Sequence, residues 1–253
     1  MSGISDRLRF ERICKEDPLR KLTASGIGTY KERRLHAVLK RFFEENEENH
    51  EISLLGYVVD IQDKMSIIEI QTSDFYRMKA KLKSFLDNGY TVTVVYPVAA
   101  KKWILWVNTE DGSITNRRKS PRDGTVFDII PELYSIRELL CHKSLNFCIM
   151  LLEVEDYRLL CGYSRDKKKG SRRYERIPLS LHEQKYLRHP SDYHIFLPEN
   201  LTDSFFAAEY AKTAKVPSSV AYKALAILIE KGLVRKGEKE GREYRYHKIS
   251  STI

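Results

Sequence analysis

Cysteine is sparse in this sequence, and its spacing excludes the usual structural uses of the thiol. Four cysteines stand among 253 residues: Cys14, Cys141, Cys148 and Cys161. No two form a CxxC pair and no histidine follows at zinc-finger spacing, so neither a disulfide framework nor a zinc site is expected. They read as reduced thiols, mostly in a core. Long apolar runs are missing too. No stretch approaches the roughly 20 residues that a membrane-spanning helix needs. Met1 to Lys21 is charged along its length and lacks the apolar centre of a signal peptide. These absences predict a soluble, cytoplasmic protein with no membrane partner.

What is present points toward phosphate. Hydrophobic residues make up 42% and aromatic residues 11% of the chain, enough for a sizeable core and about two domains. The formal charge of +9 favours phosphate-rich partners. Part of that charge is concentrated: Arg165 to Arg176 holds seven basic and two acidic residues. Such a run is either a solvated loop or a grip on nucleic acid, with Lys168, Lys169, Arg172 and Arg173 as candidate phosphate contacts. Arg117, Arg118 and Lys119 face the same choice at the end of a predicted hairpin, 102–118.

Hydrophobic periodicity organises the rest. After a leader, residues 1–25, Leu35, Val38, Leu39, Phe42 and Phe43 recur at helical spacing. Strands are predicted at 52–62 and 65–72, around the polar link Gln62-Asp63-Lys64. A helix follows, capped from Thr72, Ser73 or Asp74, with Phe75, Met78, Leu82, Phe85 and Leu86 on its apolar face. Tyr90–Tyr96 reads as a strand ended by Pro97, 132–141 as a helix and 146–154 as a strand. Tyr96, Trp103, Trp106 and Tyr134 read as core or hairpin aromatics rather than base-stacking platforms.

The last fifth has a sharper signature. A helix is predicted from a Thr202 cap, then a turn at Ala214-Lys215-Val216, then a second helix opened by Pro217. Val220, Leu225, Leu228 and Ile229 share a face of that second helix. Gly232 ends it, and 233–246 reads as a two-stranded hairpin. The run ALAILIEKGLVRKGEKEGREYRY resembles many bacterial winged helix-turn-helix modules. That resemblance implies DNA contact through Ser218, Ser219, Tyr222 and Lys223, and through a basic wing bearing Arg235, Lys236, Lys239, Arg242 and Arg245. Winged helices also mediate dimerisation, which leaves a homodimer or an assembly role open.

Carboxylates inside an apolar hairpin pose a separate question. Asp60 lies in the first predicted strand, and Glu69 and Gln71 lie in the second. Buried acids need a partner or a metal. With an even-length link, alternation puts Asp60, Ile67, Glu69 and Gln71 on one face and Tyr57, Val59, Ile61, Ile68 and Ile70 on the other. A turn at Asp63-Lys64 would pair Gln62 with Met65 and set Asp60 opposite Ile67. Two converging acids suit a hard divalent cation. They also suit ion pairs, Asp60 with Arg33 or Arg34 and Glu69 with Lys79 or Lys81.

The order helix, strand, strand, helix, strand, carrying GIGTYKERRLHAVL, GYVVDI and IIEIQT in turn, resembles the PD-(D/E)XK nuclease superfamily. Within it, the arrangement looks like that in archaeal Holliday-junction resolvases and related restriction-type enzymes. The resemblance spans residues 26–98. It implies a restriction-endonuclease-like mixed sheet flanked by helices at 26–127, joined through 128–200 to the winged helix at 201–253. It also implies Mg²⁺ or Mn²⁺ held by Glu32, Asp60 and Glu69, and metal-dependent cleavage of DNA. His36, one turn after Glu32, reads as a helix-face residue rather than a ligand. The family's lysine, two positions after the strand acid, is Gln71 here. Either the site is one of the Gln-bearing variants or a lysine of the next helix substitutes, and of Lys79 and Lys81, Lys81 is expected to do so. Asp60, Glu69, Gln71 and Lys81 form the expected catalytic set. The same departure keeps a second expectation alive: an inactive nuclease fold that binds DNA without cutting it.

Overall fold

The computed structural model describes residues 2–16, 34–108, 112–159 and 172–249. The first elements are α1 (Ser2–Glu16), α2 (Arg34–Phe43), β1 (His50–Leu54), β2 (Tyr57–Asp63), β3 (Ser66–Ile70) and α3 (Phe75–Asp87). Then come β4 (Thr91–Val107), β5 (Arg118–Lys119), α4 (Ile130–Ser135), β6 (Leu145–Leu159) and β7 (Arg172–Leu187). The chain ends with β8 (Ser204–Phe206), α5 (Ala207–Ala214), α6 (Ser218–Glu230), β9 (Val234–Glu240) and β10 (Glu243–Lys248). The architecture is α/β, with seven strands in a mixed sheet flanked by helices and three in a small antiparallel sheet. No helix among the described residues is long and apolar enough to cross a membrane.

Two compact units are interleaved along the chain. One comprises residues 1–63, 97–125 and 150–184, the other 64–96, 126–149 and 185–253. Strands β4, β6 and β7 each contribute to both.

In the first unit the leader helix is part of the core. Phe10, Ile13 and Cys14 of α1 are buried, and Phe10 meets Phe42 of α2 edge-on at 5.3 Å. The stretch 52–62 is two strands rather than one. Leu55 and Gly56 take φ of 50° and 80°, and the chain reverses there so that Ile52 of β1 pairs with Val59 of β2. Glycine enters the left-handed region without steric cost, which makes the turn possible. Along β2, Val59 and Ile61 are buried and Asp60 is half-buried, the alternation expected of a strand. The β2–β3 link is Lys64-Met65, with Lys64 at φ 52°, one residue later than predicted. Met65 therefore belongs to the turn, and its predicted pairing with Gln62 does not form.

Pro97 does not end β4, which runs on to Val107. Strand β3 stops at Ile70, opposite Val95, so that neighbour asks for no N–H at residue 97. Strand β7 was hidden in the sequence by its charges and by Pro178, which argue against a strand.

In the second unit β3 runs parallel to β4, from Ser66 opposite Thr91 to Ile70 opposite Val95. Parallel neighbours need a crossover, and α3 supplies it. All five predicted apolar residues of α3 are buried. Its start differs from expectation: Asp74 has left-handed φ and its side chain caps nothing. Instead Glu132 Oε2 of α4 accepts the Phe75 N–H at 2.8 Å. The helix predicted over 132–141 shrinks to α4 and a short 3₁₀ turn, Arg137–Leu139.

The C-terminal segment shares this second unit. Thr202 does not open a helix, because 204–206 is spent as strand β8. Helix α5 starts at Ala207, where Glu209 Oε2 accepts the Phe206 N–H at 2.7 Å. Helix α6 buries Ala221, Ala224, Leu225, Ile227 and Leu228, while Ile229 is exposed and Val220 half-buried. Its inner face is rotated from the predicted one because two alanines permit close packing that a count of large apolar residues overlooks. The small sheet has the order β8-β10-β9. Tyr210, fully buried, donates its hydroxyl to Phe196 O at 2.6 Å.

Candidate functional site

Strand β3 is apolar on both faces, with Ile67 and Ile70 each 1% exposed, as a parallel strand covered on both sides should be. Glu69 interrupts it and is itself only 6% exposed. A carboxylate so placed is costly unless a charge compensates it. Lys81, two turns into α3, brings its Nζ to 2.7 Å from Glu69 Oε1. The same ammonium lies 5.8 Å from the Phe85 ring centre. Lys79 turns away and pairs with Glu138 instead. Of the two lysines considered from the sequence, Lys81 is the one beside the strand acid. Gln71 follows at the end of β3; its backbone N–H donates to Val95 O at 2.9 Å and its amide nitrogen to Ser73 O.

Asp60 is half-buried in β2 of the other unit. Arg34 is buried and makes no ion pair with Asp60 among the described residues. Glu32, Arg33, Lys168 and Lys169 lie outside the described residues, as does the side chain of Arg172. His36 is half-buried on α2. Among the described residues no three His, Cys, Asp or Glu side chains form a group able to hold a metal. Glu69, an oxygen donor of the kind Mg²⁺ prefers, fits such an ion in chemistry.

Several predicted phosphate contacts are engaged within the protein. Arg117 stacks over Trp103 at 4.2 Å and meets Glu155 at 3.3 Å. Lys119 pairs with Asp123 at 3.3 Å, whereas Arg118 is exposed. Arg245 is held by Glu240 and lies over Phe206. Lys223 sits 5.8 Å from the Tyr134 ring. Ser218, Ser219 and Tyr222 are exposed at the start of α6, and Arg235, Lys236, Lys239 and Arg242 are exposed on the β9–β10 hairpin. Lys236 Nζ lies 3.5 Å from the Tyr244 ring centre.

One cluster was missed from the sequence. Asp156 of β6 is fully buried, and three guanidiniums reach it: Arg158 Nη2 on Oδ2, and Arg173 Nε and Arg176 Nε on Oδ1, each at 3.2 Å. Burial opposes ionisation, yet Arg176, Arg173 and Arg158 outweigh it and hold the carboxyl below its ordinary pKa. Only Arg173 had been singled out. The strand predicted over 146–154 ends before Asp156, whereas the observed one runs on to Leu159 and carries it.

These features define an α/β protein with a buried acid–lysine pair on a parallel crossover and a helix–helix–hairpin C-terminal segment. The chain belongs to the family described as a domain of unknown function (DUF8091), which it matches over residues 33–188. It is similar to an uncharacterized protein of Treponema pallidum (strain Nichols), 31% identical over 223 residues that cover 88% of this chain and 87% of that one. No solved structure matches it.

Proposed function

We propose that this protein is a metal-dependent DNA endonuclease of the PD-(D/E)XK type with a C-terminal winged-helix module. The observation that carries the reading is the contact of Lys81 with Glu69 at 2.7 Å. The resemblance lacks its lysine at position 71, and a lysine from the crossover helix beside the strand acid answers that gap. Glu69, with Asp60 and Glu32 as the resemblance assigns them, would hold Mg²⁺ or Mn²⁺. Such an ion polarises a phosphoryl oxygen and lowers the pKa of bound water. Lys81 orients the attacking water and offsets the charge of the pentavalent transition state. Gln71 helps position the water but brings no charge.

The C-terminal order β8, α5, α6, β9, β10, with β10 between β8 and β9, supports the winged-helix reading. Ser218, Ser219 and Tyr222 then face the groove, and Arg235, Lys236, Lys239 and Arg242 meet the backbone. A second reading, a nuclease fold that binds DNA without cutting, is favoured by Gln71, whose amide nitrogen is bonded locally to Ser73 O.

Nicking of supercoiled plasmid and branched DNA with and without Mg²⁺ decides between them. Cleavage by the wild type that is lost in Glu69→Gln, Asp60→Asn and Lys81→Met supports the nuclease. DNA binding without cleavage, and melting indifferent to Mg²⁺, supports the scaffold.

A further inference from the structure

We propose that Lys102, Arg158, Arg173 and Arg176, assembled around Asp156, form a receptor for a phosphate group. The argument is one of charge and donor count. Asp156 and Arg158 stand two residues apart on β6 and so share a face. Strand β7 contributes Arg173 and Arg176, whose Nε atoms both reach Asp156 Oδ1 at 3.2 Å. A carboxylate offers about four lone-pair sites, whereas the guanidiniums of Arg158 and Arg176 alone bring about ten N–H donors. Asp156 therefore aligns the three arginines but cannot satisfy the donors of Arg158 and Arg176.

Lys102, half-buried on β4, adds a fourth cation and makes no ion pair among the described residues. Burial lowers its pKa; Asp156 opposes that effect, and Arg176, Arg158 and Arg173 add to it. Lys102, Arg158 and Arg176 against one carboxylate leave a surplus of two positive charges. The Nε of Arg158 is buried with no hydrogen-bond partner among the described residues. Guanidinium groups still reach water, since the side chains of Arg173 and Arg158 are 50% and 27% exposed. Exposed Arg118 extends the positive surface: it pairs with Ile104 and so lies on the Lys102 face of β4.

A tetrahedral oxyanion of high charge matches several convergent guanidiniums and an ammonium better than a carboxylate does. The phosphate can come from a polynucleotide backbone or from free phosphate. The site uses none of the residues assigned to the metal and stands whether or not the metal chemistry proposed above is correct.

The test uses the full chain in EDTA, so that cleavage plays no part. A short blunt DNA duplex is titrated across a salt series, and melting is followed with inorganic phosphate against sodium chloride of equal ionic strength. Lys102→Met and Arg158→Gln are the variants. Lys102→Met removes a crowded cation and is expected to melt no lower than wild type, so any loss of binding in it is not unfolding. If the source is a polynucleotide, Lys102→Met weakens duplex binding about five- to tenfold and makes the log–log salt slope shallower by about 0.9. If the source is free phosphate, millimolar phosphate raises the melting temperature of the wild type, and Lys102→Met abolishes the rise while duplex binding stays level. Duplex affinity, salt slope and phosphate response all unchanged in Lys102→Met would overturn the proposal.

Discussion

Two buried acids, Asp156 and Glu69, solve the same problem in opposite ways. Each sits inside a strand where a lone carboxylate would be costly. Asp156 is met by three guanidiniums, Glu69 by the ammonium of Lys81. The first cluster is over-neutralised and has an affinity left for anions. The second sets the Lys81 ammonium against the Glu69 carboxylate, and a cation or a reacting phosphate can perturb that contact. Burial of an acid therefore does not by itself signal a metal; the count of charges around it decides what it can recruit.

The largest expected effect breaks the first cluster. Asp156→Ala takes the acid away from Arg158 and Arg176 and should lower the unfolding free energy by about 3–5 kcal/mol in urea titrations. The pH dependence follows in sign. The folded pKa of Asp156 lies below its unfolded value. Its stabilisation is thus complete above about pH 4–5 and is lost as pH falls through the lower folded value. Asp156→Asn should remove that part of the acid decline from the melting profile.

Glu69→Ala should cost less, about 1–3 kcal/mol, because Lys81 is partly exposed and can turn to water. The double variant Glu69→Leu with Lys81→Met should recover most of the loss, since neither charge is then left alone. A cost as large as that of Asp156→Ala would show that Glu69 is chiefly a structural ion-pair partner.

A neutral buried bond calibrates both. Tyr210→Phe, which leaves Phe196 O without its 2.6 Å donor, should cost about 1 kcal/mol. The smallest effect reverses sign. Lys102→Met relieves a crowded cation and should raise the melting temperature by about 1–2 °C, whereas Lys81→Met should lower it.

Local chemistry was legible wherever it depended on near neighbours. The apolar face of α3 was readable because Phe75, Met78, Leu82, Phe85 and Leu86 repeat at helical spacing and all turn inward. The polar interruption at Glu69 and its neighbour Lys81 were readable for the same reason, one from strand alternation and one from helix phase. The break at Leu55-Gly56 was not, because apolar residues flank it closely enough to read as one strand. The start of α3 was hidden as well, since its first N–H is satisfied by Glu132, far along the chain. The Asp156 cluster was hidden for that reason too: Arg173 and Arg176 belong to a strand that charge and Pro178 disguised.

The sequence alone determined the balance of apolar and basic residues, the helix faces and the presence of acids within strands, since these follow from composition and short-range periodicity. Only the tertiary structure decided which cations each acid receives. It also joined residues 64–96, 126–149 and 185–253 into one unit and 1–63, 97–125 and 150–184 into the other. The physical reason is that β4, β6 and β7 are long enough to serve both units, and a strand's pairing partners are chosen by sheet geometry rather than by distance along the chain.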